Sequence, residues 1–453
     1  MTRPTPKGTP KTEPTRPEGT QETQPTPRVT PGPAAVPRPR APATAAAPRP
    51  SHFAAARAAL GTAVARVTGS TLGARQLAAV RIGAAGTWGV YLLREWPHRA
   101  ELYGPGSAWG WDLARRLVSG NGAFTALLWS RSEAWFTCVY VLALLVSFLL
   151  VLGWRTRTMS VLFALTVLSL QNRSVFVGDG GDNLLHLLAL YLCLTRCGQA
   201  WSLDARRRAL GRPDRAGPWL WGLLGAALLA AWLSDRLTPG WTLALTVTWA
   251  ALGTWRFLER HPLGETRALA DILGNLLHHA GLLIIMAETC LVYATAGWYK
   301  IQGSRWQDGT AVYYPLELDS FSPWPVLSHA LAAHGTLIAL LTYGTVFAQV
   351  AFPFSLLNRR AKNVLIIVLA AEHLGIAFLL GLPFFSLAML AADAVFLPTG
   401  FLRAVERGAR RARRGARRVT RRGGRPRART ATRRTADREA PVRPETGSVS
   451  AAP

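Results

Sequence analysis

Residues 135–157 read WFTCVYVLALLVSFLLVLGWRTR, and the first 19 of them carry no charged side chain. At 1.5 Å per residue such a run makes a helix of roughly 28 Å, close to the hydrocarbon thickness of a bilayer. Arg155 and Arg157 follow at once, as basic residues do where a span meets the cytoplasm. Similar apolar stretches lie at 77–93, 158–171, 184–195, 219–235, 241–257, 272–297, 326–352, 364–380 and 384–401. Together they predict ten crossings and an all-α fold, a polytopic transmembrane helix bundle. The 158–171 and 184–195 stretches are short for full spans; if they form a re-entrant pair, the count becomes eight.

The charge of the connections agrees with ten. With the N-terminus inside, the inner loops hold Arg155 and Arg157; Arg196, Arg206, Arg207, Arg208, Arg212 and Arg215; Arg256, Arg260 and Arg267; and Arg359, Arg360 and Lys362. The outer 298–325 loop is nearly balanced, with Lys300 and Arg305 against Asp308, Glu317 and Asp319. Basic residues are retained on the cytoplasmic side of short loops, so both termini are expected to be cytoplasmic in a multi-pass cell-membrane protein. The long outer connection 94–134, with Trp96, Trp109, Trp111 and Trp129, reads equally as an amphipathic helix in the headgroup layer or as a folded loop. No internal repeat of fixed period is present.

Composition fits this class: 453 residues, 49% hydrophobic, 17% charged and 17 tryptophans. The net charge of +27 suggests nucleic acid until its position is considered. Sixteen arginines and two acids lie between Arg403 and Arg438, directly after an apolar stretch and with almost no aromatic residue to stack on bases. That favours a polybasic segment on anionic lipid over a nucleic-acid partner. The first 50 residues hold 14 prolines and lack the apolar core of a signal peptide, so residues 1–55 are expected to be a disordered arm rather than a cleaved export signal. Residues 76–401 form the transmembrane domain, and 402–453 a disordered basic tail. The cysteines Cys138, Cys193, Cys197 and Cys290 match no zinc or disulfide spacing and read as packing residues, so no metal is expected. Neither HExxH, a phosphate-binding glycine loop nor a GxSxG elbow occurs, which leaves zinc peptidase, nucleotide hydrolase and serine hydrolase readings without residues.

Lys300 stands out. The chain carries 48 arginines and four lysines; Lys7 and Lys11 lie in the proline-rich arm and Lys362 in an arginine cluster, whereas Lys300 sits where an apolar segment meets a tryptophan-rich loop. A guanidinium stays charged in proteins, while a desolvated ammonium can release its proton and act as base or nucleophile. The predicted topology brings the turn 172–183 (NRSVFVGDGGDN) and the segment 300–309 (KIQGSRWQDG) to one outer side. In that turn Asp182 reads as a helix cap. Arg173 is either a snorkelling interfacial residue or an anion ligand, and His186, one turn into the next span, either a hydrogen-bonded structural histidine or a catalytic helper. Glu288, Glu372, His373 and Asp393 fall deep in their spans, where ionisable groups serve as an interhelical clamp or line a proton path or ligand pocket.

The stretch Tyr293-Ala294-Thr295-Ala296-Gly297-Trp298-Tyr299-Lys300, continuing to Trp306 and Asp308-Gly309, resembles the corresponding segment of vitamin K-dependent γ-glutamyl carboxylase and the related bacterial HTTM-domain proteins. Three more landmarks occur in the same order: Arg81-Ile82 with Gly83 and Gly86; the Asn172-Arg173 turn with Asp182, Asn183 and His186; and Glu372-His373-Leu374-Gly375 followed by Phe384-Phe385-Ser386. The resemblance covers about 76–401. It implies that Lys300 is the base that deprotonates vitamin K hydroquinone, whose oxygenation to an epoxide drives removal of a γ-proton from a substrate glutamate before carbon dioxide adds. With that reading, His186 and His373 are helpers, and Arg173, Asn183, Trp306 and Glu372 are expected to hold the cofactor, reduced vitamin K or menaquinone. The animal enzyme has a β-rich lumenal region after its helices; here an arginine-rich tail follows, expected on the other side, so a small peptide or protein substrate would dock on the outer loops or arrive with a partner. The bacterial proteins that the chain resembles include SdpB-like proteins associated with peptide toxin production. The alternative class of function is a non-enzymatic membrane protein for maturation, export or sensing of a small peptide or lipid, with Lys300 a structural interfacial charge.

Overall fold

A computed structural model describes residues 52–261 and 264–423, and every regular element among the described residues is helical. The principal helices are α1 (Ala74–Arg94), α2 (Glu133–Leu152), α3 (Thr156–Gln171), α4 (Gly180–Leu194), α5 (Ala216–Leu233), α6 (Pro239–Arg260), α7 (Gly264–Gln302), α8 (Gly335–Ser355), α9 (Arg359–Leu379), α10 (Pro383–Asp393) and α11 (Thr399–Gly423). Five of them, α2, α5, α7, α8 and α9, are long and apolar enough to cross a membrane. The pair Pro383–Phe396 and Thr399–Ala412, bent by 110°, makes a sixth if it counts as one span. The count of ten therefore exceeds what length and composition establish by themselves: α3, α4 and α10 are short, and α1 carries Arg75, Arg81 and Arg94.

Several boundaries differ from the sequence reading. The 326–352 stretch is two helices, Pro325–Ala332 and α8, separated at Ala333 and His334 just before Gly335, a poor helix former. The 384–401 stretch ends in a 3₁₀ turn, Ala394–Phe396, and Pro398 follows where the chain bends, since proline disfavours helical conformation in the residue before it. Residues 402–423 belong to α11, where a disordered tail was expected; alanine and arginine are strong helix formers. Likewise 52–55 open a helix, His52–Gly69. The expectation of disorder for 1–51 and 424–453 lies outside the described residues. The 94–134 connection is a folded loop containing the helices Arg99–Tyr103 and Trp111–Asn121 and a 3₁₀ turn, Ala126–Trp129.

The core forms around α1, whose Leu77, Val80, Ala84, Trp88 and Leu92 are buried against α2, α4 and α10. A β-carbon added at Gly83 would lie 2.7 Å from that of Ala391, so only glycine lets α1 and α10 approach this closely. Hydrogen bonds gather the helix ends into two opposite faces. On one, Asp204 accepts from the backbone N–H of Arg155 (3.0 Å) and Thr156 (2.7 Å), Asp214 pairs with Arg155 and Arg256, and Arg196 pairs with Asp271. Arg81, wholly buried, donates to the carbonyls of Leu150, Val151 and Trp201. On the other face, Asn172 donates to Phe124 O (2.9 Å), Gln171 to Asp182 O (2.7 Å) and Trp241 Nε1 to Gly122 O (2.8 Å). At 39 residues, about 58 Å, α7 is twice as long as a bilayer core, and its first turns with Arg267 and Asp271 extend the basic face.

Candidate functional site

The second half of the chain builds a cavity of about 580 Å³ between α7, α8, α9 and α10, a size usual for small-molecule sites. Tyr293, Ala296 and Lys300 are spaced three and four residues apart on α7 and so share one face of that helix, which lines the cavity. A β-carbon at Gly297 would lie 2.7 Å from Val350 Cγ2. This close crossing of α7 and α8 carries Lys300 to Gln349, whose Oε1 accepts from Lys300 Nζ at 3.0 Å. The other end of the same amide donates to Glu372 Oε1 at 2.6 Å, so Gln349 bridges the two ionisable side chains. Trp306 comes from the turn after Gly303, with its ring centre 5.0 Å from Lys300 Nζ, within cation–π range.

A second chain of bonds forms the deeper wall. The Tyr293 hydroxyl donates to Asp393 Oδ2 (2.8 Å) and lies 3.0 Å from His373 Nε2. A phenol has one proton; if it goes to Asp393, His373 Nε2 must be the donor and Nδ1 is left as a free acceptor. Among the described residues His373 Nδ1, Glu372 Oε2 and Asp393 Oδ1 are indeed buried without a hydrogen-bond partner. Buried polar atoms are nearly always satisfied, and Glu372 and His373 both line the cavity, so their two orphan acceptors mark a place where a ligand or water completes the bonding, with Asp393 directly behind them through Tyr293. Apart from these groups the lining is mainly apolar, with Val292, Leu316, Leu340, Ile376 and Leu379. The geometry thus suits a molecule with a hydrogen-bonding head and a greasy body. A separate cavity of about 280 Å³, between α2, α3, α5 and α6, is lined without any ionisable side chain.

Of the residues singled out from sequence, Lys300, Trp306, Glu372 and His373 meet in this cavity. His186, half-buried on α4, and Asn183, exposed in its first turn, are not part of the lining. Arg173 is fully buried and donates to Trp109 O (2.9 Å), Gly104 O (2.7 Å) and Ser107 Oγ (2.9 Å). Its terminal nitrogens hold the 104–109 loop, and burial lowers its pKa from the usual arginine value. Asp182 takes part in the cap of α4 from the third helical position: Asp179 is the N-cap and accepts from Asp182 N, while Asp182 Oδ2 accepts from Asp179 N, a reciprocal capping box. Asp308 closes the turn after Trp306; the Thr310 hydroxyl and N–H it accepts from hold its carboxyl below the ordinary value. Glu288 makes no hydrogen bond or ion pair among the described residues and stands apart from Glu372, His373 and Asp393.

Gln349 and the bridging role of Tyr293 were not foreseen. The one cue was that Gln349 is the only amide in α8, which has no charged residue. Among the described residues no group of histidine, cysteine and carboxylate side chains has the arrangement of a metal site. Comparison with protein-family models, with curated proteins and with solved structures finds no match for this chain.

Proposed function

We propose that the chain is a polytopic membrane protein with ten crossings and cytoplasmic termini, whose Lys300 cavity binds a reduced isoprenoid quinone and takes a proton from its hydroxyl. The resemblance to the vitamin K-dependent carboxylase family and its HTTM-domain relatives suggested this chemistry. The observation that carries it is the convergence of Lys300, Trp306, Glu372 and His373, distant in sequence, on one largely apolar cavity. Ten crossings are supported by the two faces of helix ends, which alternate along the chain and concentrate arginine on one side. On that side α11 extends arginines at three- and four-residue spacing, suited to an anionic lipid surface.

A bound quinol would supply the acidic hydroxyl and the electrons for oxygenation. The residues supply position and proton transfer: Lys300 Nζ receives the proton, Gln349 fixes the amine, and Glu372, linked through the same amide, balances the charge that develops. The indole of Trp306 offers a flat surface beside the amine. His373 Nδ1 is a free acceptor in the deeper wall for a second hydroxyl. The fit to a quinol rests on those unpartnered atoms and the apolar remainder of the lining.

Membranes supplied with reduced menaquinone or vitamin K are expected to form epoxide, and Lys300→Ala and Lys300→Arg to lower its rate by about a hundredfold or more. Wild-type membranes that form no more epoxide than both variants would remove the catalytic part of the reading. One observation favours a non-enzymatic protein that matures, exports or senses a small peptide or lipid: Gln349 engages both Lys300 and Glu372, as an interhelical clamp would. Quinol binding to the purified protein without turnover is the result expected from that alternative.

A further inference from the structure

On the basic face, away from the cavity, the indole of Trp255 near the end of α6 carries three guanidinium groups. Arg157 of α3 lies 3.7 Å from the ring centre, Arg196 after α4 lies 4.8 Å away, and Arg267 of α7 lies 5.2 Å away. The ring itself is fixed, because its Nε1 donates to Glu259 Oε1 at 2.7 Å. Two carboxylates serve this group. Asp271 pairs with Arg196 (3.1 Å) and with Arg267 (2.9 Å), while Glu259 holds the indole. Arg157 is left over: among the described residues it makes no hydrogen bond and no ion pair, and it stacks on the ring face. Arg208, bonded to Gly198 O and Gln199 Oε1 rather than to an acid, adds a further positive charge near Arg157, while Glu259 and Asp271 act on Arg157 through space without bonding to it.

Stacking on an indole orients a guanidinium but leaves its edge donors open, and that planar fork matches two phosphate oxygens at once. An arginine kept half-buried among three other guanidinium groups, with no carboxylate bonded to it, has donors available for an anion. We propose that Arg157, stacked on Trp255 and flanked by Arg196, Arg208 and Arg267, binds a phosphate-bearing anion at the basic face of the molecule. The neighbouring Asp214 group differs in kind: Arg155, Arg207 and Arg256 each have that carboxylate as partner. Two sources share the ligand chemistry, the phosphodiester of an anionic lipid headgroup and free inorganic phosphate. The proposal does not depend on what the Lys300 cavity binds.

Purified full-length protein in neutral detergent, titrated with dioctanoyl phosphatidylglycerol, inorganic phosphate or dioctanoylglycerol, distinguishes these sources; thermal protection and native mass spectrometry read the binding. Saturable binding of the phosphatidylglycerol but not of dioctanoylglycerol is expected. Tighter binding of phosphatidylglycerol than of phosphate identifies the headgroup, and equal affinity identifies free phosphate. Arg157→Gln should weaken binding about tenfold, and Arg157→Lys, which keeps charge but not the fork, about fivefold. Arg115→Gln, exposed on the opposite face, should leave it unchanged. The proposal is overturned if the wild-type protein binds neither phosphate-bearing probe, if the affinity is unchanged in whichever Arg157 variant folds, or if Arg115→Gln loses as much.

Discussion

At the basic end of the molecule Asp214 is shared by Arg155, Arg207 and Arg256, and Arg81 donates from both terminal nitrogens to three backbone carbonyls. Around Lys300, by contrast, Glu372 Oε2, His373 Nδ1 and Asp393 Oδ1 are buried and unpartnered. Both regions bury charge, but Arg81, Arg155 and Arg196 leave over only their guanidinium Nε atoms, while Glu372 and His373 leave over acceptors on the wall of a cavity. A network that uses its terminal groups within the chain holds helices together. One that keeps acceptors free beside empty volume has capacity for a ligand.

The largest effect that separates the two regions is expected at Arg81. Arg81→Met keeps much of the side-chain volume but deprives the carbonyls of Leu150, Val151 and Trp201 of a charged donor, joining the end of α2 to the loop before residues 203–209. The variant should lose about 3 kcal/mol of unfolding free energy, measured by denaturant titration in detergent. A loss under about 1 kcal/mol would mean that the basic end is not the structural clamp that its bonding suggests.

A smaller effect is expected from Tyr293→Phe, which fills the same space but removes the hydroxyl between His373 Nε2 and Asp393 Oδ2. Two further buried polar atoms then lack a partner, at a cost of about 1.5 kcal/mol. In a double-mutant cycle with Asp393→Ala the two costs should not add, because both changes break the same bond. Additive costs would break the description of these side chains as one network.

How much of this was legible in the sequence follows from the kind of signal each feature leaves. Apolar runs with basic flanks mark helices wherever solvation alone decides, so the all-helical class and most principal helices could be read directly. Lys300 was visible as a lysine among arginines, and Glu372 and His373 as ionisable residues in apolar runs. Gln349 carries no charge and interrupts no run, so only the crossing of α7 and α8 at Gly297 gives it a role. Arg173 read as a snorkelling residue or an anion ligand because the 104–109 carbonyls it serves lie far away in sequence. The break at Ala333 and the bend after Phe396 were hidden for the opposite reason: the apolar pattern continues through both, while the backbone turns.

Glu288 offers the finest test, because by depth alone it belongs with Glu372, His373 and Asp393. It precedes Tyr293 by five residues on α7, which puts it about 140° around the helix from that side chain, and it is not among the residues that line the cavity. Its side chain is half-buried and has no hydrogen-bond or ion-pair partner among the described residues. Glu288→Gln therefore removes a charge that nothing compensates and leaves the Lys300–Gln349–Glu372 bridge intact. Stability should stay within about 0.5 kcal/mol of the parent or rise, and quinol affinity should be unchanged. A loss of affinity approaching that of a Gln349→Leu variant would show that depth in the helix, rather than membership of the bonded network, defines the site; the contrast between the two ends of the molecule would then have to be drawn by position instead of by bonding.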